Sequence, residues 1–215
     1  PAPYGGINLR SDITALQPNE ARALETWLPG AGQCDLRPGF GDHGTGVGSA
    51  EAATLASYVG YSSSKLLSAA GGKIYDVTSA GAGTQKATGF SVDRWQTALY
   101  SNRLFFVNGT DTPQVYDGST VANHVWTGSG LTATNLVNVA LVRNRLWFCE
   151  NNSADVWYGG IGQITVGSAL TKFSLSQIAG GGICMAIGSW SRDAGDGADD
   201  MTVFVMSTGE IIIYQ

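Results

Sequence analysis

The sequence predicts an all-β protein, and two observations predict it: the composition and a repeat of about 40 residues. Glycine supplies 30 of the 215 residues, aromatic residues 10% and charged residues 13%. The charged share is about half that of an average soluble domain. Such a composition favours short strands joined by tight turns. Apolar residues make up 43% of the chain, which is enough for a buried core.

Residues 1–45 are predicted to form an extended arm that carries one short helix. Pro18 suits the first turn of a helix, and apolar residues then recur at helical spacing, namely Ala21, Leu24 and Leu28. Pro29-Gly30 is expected to end this helix.

Two later segments, 95–106 and 137–148, align with each other, and Arg145 follows Arg103 by 42 residues. Each contains Asn-Arg-Leu and two aromatic residues, then a polar turn and an aromatic strand. A weaker copy precedes them, in which Lys65 precedes Arg103 by 38 residues. A fourth copy begins at Cys184 and is lengthened by a Gly/Asp-rich insert.

Residues 46–215 are therefore predicted to form four β-propeller-like blades, at about 53–78, 95–120, 137–161 and 183–215. A period near 40 residues with about four strands is typical of a propeller blade. One such sheet cannot bury both of its faces alone, so neighbouring sheets stack and share an apolar layer. An irregular β-sandwich is the alternative. The propeller is expected to be completed either by a strand within 34–40 or by a gene product that continues beyond Gln215, and the second is favoured.

The charge excludes some function classes. Acidic residues outnumber basic ones by 17 to 12, which gives a net charge of −5, and the basic residues are scattered. A dedicated reader of DNA or RNA needs clustered Lys and Arg and is therefore not expected. No apolar stretch is long enough for a membrane span, and the first residues do not resemble a signal peptide. Cys34, Cys149 and Cys184 are expected to be reduced thiols.

Candidate catalytic and cofactor motifs are sparse. His43 follows Asp42 in a glycine-rich loop, and we interpret it as a surface histidine because no nucleophile motif accompanies it. The segment 39–44 satisfies the pattern G-x-G-x-x-G, but no helix opening follows it, so a hinge is favoured over dinucleotide binding. No catalytic residue and no cofactor are predicted.

One acidic loop is a candidate calcium site. Four carboxylates occur within eight residues, at Asp193, Asp196, Asp199 and Asp200. Flexible loops rich in carboxylates can bind Ca²⁺, but the spacing does not match the calcium-loop motif. A solvated hairpin is favoured, and no metal ligand is predicted.

The aromatic residues allow two interpretations. A carbohydrate-stacking platform is one, and packing between blades is the other, which is favoured because they recur at equivalent positions of the repeat: Trp95, Phe105, Phe106, Trp126, Trp147, Phe148, Trp157 and Tyr158. The glycosylation patterns at Asn108 and Asn151 carry no weight without an export signal.

Three N-terminal stretches, 3–10, 24–30 and 36–40, resemble the start of virion proteins of tailed bacteriophages, specifically tail tube proteins (nozzle or hub) of short-tailed phages. The resemblance implies a β-propeller subunit, a homo-oligomeric ring of six copies and a place in the virion tail, assembled in the host cytoplasm. It also implies contacts with the portal-adaptor complex and with tail fibre or spike proteins. Double-stranded DNA would pass through the ring during ejection without specific binding. The resemblance implies no catalytic residue.

We therefore expect a non-enzymatic structural protein. Low charge suits a subunit whose surface is covered by its copies, and excess negative charge lets a phosphate backbone slide past. Residues 1–45 are expected to dock on a neighbouring subunit. The alternatives are a glycan-binding or glycan-cleaving propeller and a scaffold propeller for host proteins.

Overall fold

A computed structural model describes residues 2–39, 41–48, 50–193 and 198–215. The chain divides into two compact units, 1–42 and 43–215. The described elements are strands and three-residue 3₁₀ helices, so the predicted all-β class is confirmed.

The first unit contains one hairpin, formed by β1 (Trp27–Gly30) and β2 (Gln33–Leu36). The predicted short helix is wrong: the only helical turn in the described part of this unit is a 3₁₀ helix at Ile13–Ala15. An isolated helix of this length is marginal in water. Pairing of β1 with β2 instead satisfies the backbone groups that face each other across the hairpin, and Thr26 has a positive φ of 63°, which no helix accommodates.

The second unit is built of short antiparallel strands. In chain order the described strands are β3 (Gly44–Thr45), β4 (Thr54–Val59), β5 (Ser64–Ala70), β6 (Lys73–Asp76), β7 (Gly81–Ala82), β8 (Thr84–Thr88), β9 (Gln96–Tyr100), β10 (Arg103–Val107), β11 (Gln114–Tyr116), β12 (Val121–Asn123), β13 (Leu136–Val142), β14 (Arg145–Glu150), β15 (Asp155–Tyr158), β16 (Thr171–Ser174), β17 (Cys184–Asp193), β18 (Ala198–Met206) and β19 (Ile211–Tyr214). Short 3₁₀ helices lie at Ala133–Asn135 and Leu175–Gln177.

These strands form four sheets in which chain neighbours pair. Sheet I has the order β4-β5-β6-β8, sheet II β12-β11-β10-β9, sheet III β13-β14-β15-β16 and sheet IV β17-β18-β19. The strands β3 and β7 form a separate parallel pair. The sheets are joined in sequence, so each is a local meander of low loop-closure cost.

Successive sheets pack face to face through three apolar layers. On β10, Leu104 and Phe106 face sheet I, whereas Phe105 and Val107 face sheet III. The same alternation occurs one sheet later, where Leu146 and Phe148 of β14 face sheet II, and Trp147 and Cys149 face sheet IV. Sheets II and III therefore bury both faces, which explains why their central strands are continuously apolar.

Candidate functional site: the contacts between the sheets

The strongest repeated feature is a tyrosine at the end of the first strand of a sheet. The Tyr100 hydroxyl, at the end of β9, donates to the carbonyl oxygen of Asn144 at 2.6 Å and accepts from the amide of Gly162 at 2.7 Å. The Tyr58 hydroxyl, at the end of β4, lies 3.2 Å from the carbonyl oxygen of Asn102. Each tyrosine thus bonds to the hairpin turn of the following sheet.

Those two hairpin turns have the same backbone form. Ser101 and Asn102 have φ values of 48° and 60°, and Arg143 and Asn144 have 51° and 60°. Two consecutive residues with positive φ define a type I′ turn, whose twist matches that of a two-strand hairpin. Asparagine tolerates this conformation better than other residues with a side chain, which accounts for its presence at both turns.

The arginines that follow the turns begin equivalent strands but make different contacts. Arg103 donates to the carbonyl oxygen of Ile164 at 3.0 Å, so it joins sheet II to the loop between β15 and β16. Arg145 lies over the ring of Tyr158 within its own sheet, with its guanidinium carbon 5.4 Å from the ring centre. The two arginines thus occupy equivalent positions in the sequence repeat but do not make equivalent contacts.

The linkers between sheets I and II are held by carboxylates. Asp93 accepts from the amide of Gly72 at 2.9 Å, and Asp111 accepts from the amides of Ser91 and Val92 at 3.0 and 3.1 Å. Burial raises the pKa of Asp111, but hydrogen bonds from Ser91, Asn108 and Val92 outweigh it and leave the pKa below its usual value of 3.8. The charged carboxylate thus stabilises the start of sheet II.

His124 is fully buried between sheets II and III. Its ring lies 4.5 Å from that of Trp126 and 5.1 Å from that of Phe105, between ring centres. Neither ring nitrogen has a partner among the described residues. Burial, and secondarily the charge of Arg103, lowers the pKa of His124 from 6.5 to about 4, so the ring is neutral at pH 7.

Two of the cysteines meet between sheets III and IV. The sulfur atoms of Cys149 and Cys184 are 3.3 Å apart and both side chains are buried. Either sulfur atom can donate this hydrogen bond, which, together with burial, raises the pKa of Cys149. Cys34 belongs to the other unit and is half-buried.

The aromatic residues lie in the apolar layers. Among the eight candidates for a stacking platform, Tyr158 is half-buried and the other seven are buried: Trp95, Phe105, Phe106, Trp126, Trp147, Phe148 and Trp157. The Trp157 indole also donates to Glu150 at 2.8 Å, which fixes its orientation inside the core.

His43, the loop at 39–44 and the acidic cluster are the remaining candidates. The His43 ring nitrogen Nε2 lies 2.9 Å from the carbonyl oxygen of Val77. In the loop at 39–44, Phe40 lies outside the described residues. Of the acidic cluster, Asp196 also lies outside them, only the backbone of Asp193 and Asp199 is described, and Asp200 accepts from the Ser191 hydroxyl. The described side chains contain no group of three or more metal-binding residues.

Clefts open on the surface of the second unit. One of about 500 Å³ is lined by amide, carboxylate and apolar groups at the start of β13 and β17, among them Gln96, Asn138, Glu150, Asn151 and Met185. Another, of about 340 Å³, lies on the outer face of sheet I and is largely apolar, with Val47, Ala52, Leu55, Leu66 and Val77 in its walls. The first cleft is not evident from the sequence, because its walls come from segments as far apart as Gln96 and Ala186.

Neither a model of a known protein family nor a curated protein sequence matches this chain. None of the helices in the described ranges has the length and apolar character needed to cross a bilayer.

Proposed function

We propose that the four sheets are blades of a β-propeller and that the chain is a non-enzymatic structural protein of a bacteriophage tail. In this proposal it belongs to a homo-oligomeric ring, of six copies, in the tail nozzle or hub. The observation that carries the proposal is the face-to-face stack of sheets I to IV, in which tyrosine-to-turn contacts recur at the sequence period. Stacked four-stranded meanders with short connections are the building plan of propellers.

The surface supports a role in an assembly. Large apolar side chains are exposed in both units, including Leu9, Trp27, Leu55, Ile211 and Ile213. Ile211 and Ile213 lie on the same face of β19, and neighbouring exposed apolar side chains favour contacts with other proteins. In the tail these would be neighbouring copies, the portal-adaptor complex and fibre or spike proteins.

The charge supports a passive conduit. A net charge of −5 repels a phosphate backbone, so double-stranded DNA would slide through the ring without specific binding. The place of the protein would be the virion tail, after assembly in the host cytoplasm.

Reconstitution with a portal-adaptor complex from a short-tailed phage tests this proposal. Negative-stain images are expected to show rings of the protein below the adaptor. Trp27→Ser, in the unit formed by 1–42, is expected to weaken assembly, whereas Ile178→Ser, at a similarly exposed site, should leave it intact. Protein that stays monomeric and does not bind the adaptor would contradict the proposed role in the tail.

A glycan-binding or glycan-cleaving propeller is the second candidate. The observation that favours it is the cleft of about 500 Å³, since amide and carboxylate groups hydrogen-bond sugar hydroxyls. The buried Asn138 side-chain oxygen has no partner among the described residues. A glycan array showing binding that Asn151→Ala abolishes and Asn123→Ala preserves would favour this function over the tail role.

A further inference from the structure

Sheet IV has one packed face and one open face. Residues Ile187, Phe204 and Ile212 lie on the face that packs on sheet III. The strand pairs Val205↔Ile211 and Val203↔Ile213 lie on the opposite face, because side chains alternate along each strand. On that face Ile211 and Ile213 are 63% and 47% exposed.

The open face repeats positions that are buried in the earlier sheets. In the second strand of each sheet, side chains alternate between the face towards the preceding sheet and the face away from it. Val203 and Val205 correspond to Trp147 and Cys149 of sheet III, because both pairs lie on the face away from the preceding sheet. In sheet III these positions pack on the following sheet. Sheet IV therefore presents an interface for a following sheet, and in the described residues no sheet covers it. We call this surface the forward face.

Sheet I presents the opposite kind of surface. Its residues Leu67 and Ala69 pack on sheet II, so Leu66 and Ser68 lie on the outer side with Leu55 and Val59. These last two are 66% and 59% exposed. We call this surface the rear face.

The rear face has a recess where the other sheets carry an aromatic ring. Ser68, which is 3% exposed, stands where sheets II and III carry Phe106 and Phe148, and the apolar cleft of about 340 Å³ lies beside it, walled in part by Val47 and Ala52 of the same chain. The forward face offers branched and aromatic side chains that could fill such a space, including Ile213 and the exposed Trp190.

We propose that the forward face of one copy of this chain packs on the rear face of a second copy. This contact would continue the packing within the chain, where each of the three layers joins the forward side of one sheet to the rear side of the next. A contact between two different faces is heterologous and generates a ring or a filament. The inference deepens the self-association in the proposed function and rests on the sheet stack.

Sedimentation of single and mixed variants tests it. Wild-type protein is expected to form oligomers as its concentration rises. Ile213→Asp disables the forward face and Val59→Asp the rear face, because burying an unpaired carboxylate is unfavourable. Each is expected to weaken self-association about tenfold or more. Val166→Asp, in a loop and 55% exposed, is the matched control and should associate like wild type.

A mixture of the two variants gives the decisive outcome. Each retains one intact face, so the mixture is expected to form dimers of twice the 22.4 kDa of one chain and to stop there. Circular dichroism and melting curves establish that each variant is folded.

Three results would overturn the contact between the forward face and the rear face. The first is wild-type protein that stays monomeric at all concentrations, and the second is a mixture of the two variants that stays monomeric. The third is dimer formation by Val59→Asp alone, which indicates a forward-to-forward contact. Oligomers that persist in both variants would exclude this interface but not the proposed ring. Failure of this inference is therefore distinguishable from failure of the proposed function.

Discussion

The hydroxyl of Tyr100 donates a hydrogen bond of 2.6 Å to the backbone carbonyl of Asn144 in the next sheet. Tyr58 makes the equivalent contact with Asn102, and both residues lie 42 positions earlier in the chain. A sheet-to-sheet contact thus recurs with the sequence period. The next equivalent of Tyr100 is Val142, which instead joins the apolar layer between sheets III and IV.

We predict that Tyr100→Phe destabilises the protein. The hydroxyl bonds to Asn144 and Gly162, so its removal leaves two backbone groups without this partner, at a cost of about 1–3 kcal/mol. Thermal unfolding measures the loss. Tyr61→Phe is the control, because Tyr61 is 90% exposed, and its melting temperature should match that of wild type. Equal melting temperatures for Tyr100→Phe and wild type would contradict the role of this contact.

The type I′ turn at Asn144 predicts a difference between two small substitutions. Glycine adopts a φ of 60° without strain, whereas alanine there costs about 1–2 kcal/mol. Denaturant unfolding should show Asn144→Ala clearly less stable than Asn144→Gly. Equal stability of the two variants would mean that the turn has another conformation.

His124 predicts a loss of stability in mild acid. Its folded-state pKa of about 4 lies below the usual 6.5, so the unfolded chain binds the proton first. Stability is complete above pH 6.5 and falls as the pH drops towards 4, by an amount on the order of 3 kcal/mol in total.

The variant His124→Phe isolates this effect. Phenylalanine keeps the ring packing against Phe105 and Trp126 and removes the titration. Urea unfolding between pH 7 and 4.5 should therefore give a flatter stability profile than wild type. Parallel profiles would assign the acid sensitivity to other groups.

The cysteine pair predicts a selective cross-link. Diamide should oxidise Cys149 and Cys184 to one disulfide, because their sulfur atoms are 3.3 Å apart. The intact mass should fall by two hydrogens while Cys34 remains open to alkylation. Closing a loop between residues 35 apart should stabilise the fold by about 3–4 kcal/mol. A folded protein in which Cys149 and Cys184 do not cross-link to each other would contradict the packing of sheet III on sheet IV.

Local patterns predicted the central strands of the second unit. The segments beginning at Arg103 and Arg145 are both second strands of four-stranded sheets, as their alignment suggests. Both faces of these sheets are buried, so consecutive residues of the strands, and not only alternate ones, are apolar.

Two kinds of feature escaped prediction: a local hairpin that competes with a helical pattern, and contacts between distant segments. The segment 18–28 has helical spacing, but pairing of Trp27–Gly30 with Gln33–Leu36 prevails over that weak preference. The parallel pair of Gly44–Thr45 with Gly81–Ala82 and the burial of His124 depend on chain segments that meet only in the fold. The Tyr100 contact shows the same limit, because nothing near Tyr100 in sequence indicates its partner.

Aromatic ring contacts in solution test the four-sheet stack most directly. The ring centres of Tyr58 and Tyr116 are 5.1 Å apart, those of Trp126 and Phe148 4.5 Å, and those of Trp147 and Phe204 5.6 Å. The first pair crosses the layer between sheets I and II, and the third crosses the layer between sheets III and IV. Trp126 lies in the link between β12 and β13 and packs in the layer between sheets II and III. Nuclear Overhauser spectra of the protein with labelled aromatic rings should show cross-peaks within all three pairs. Cross-peaks that connect these rings in other combinations, with none within the three pairs, would contradict the stack.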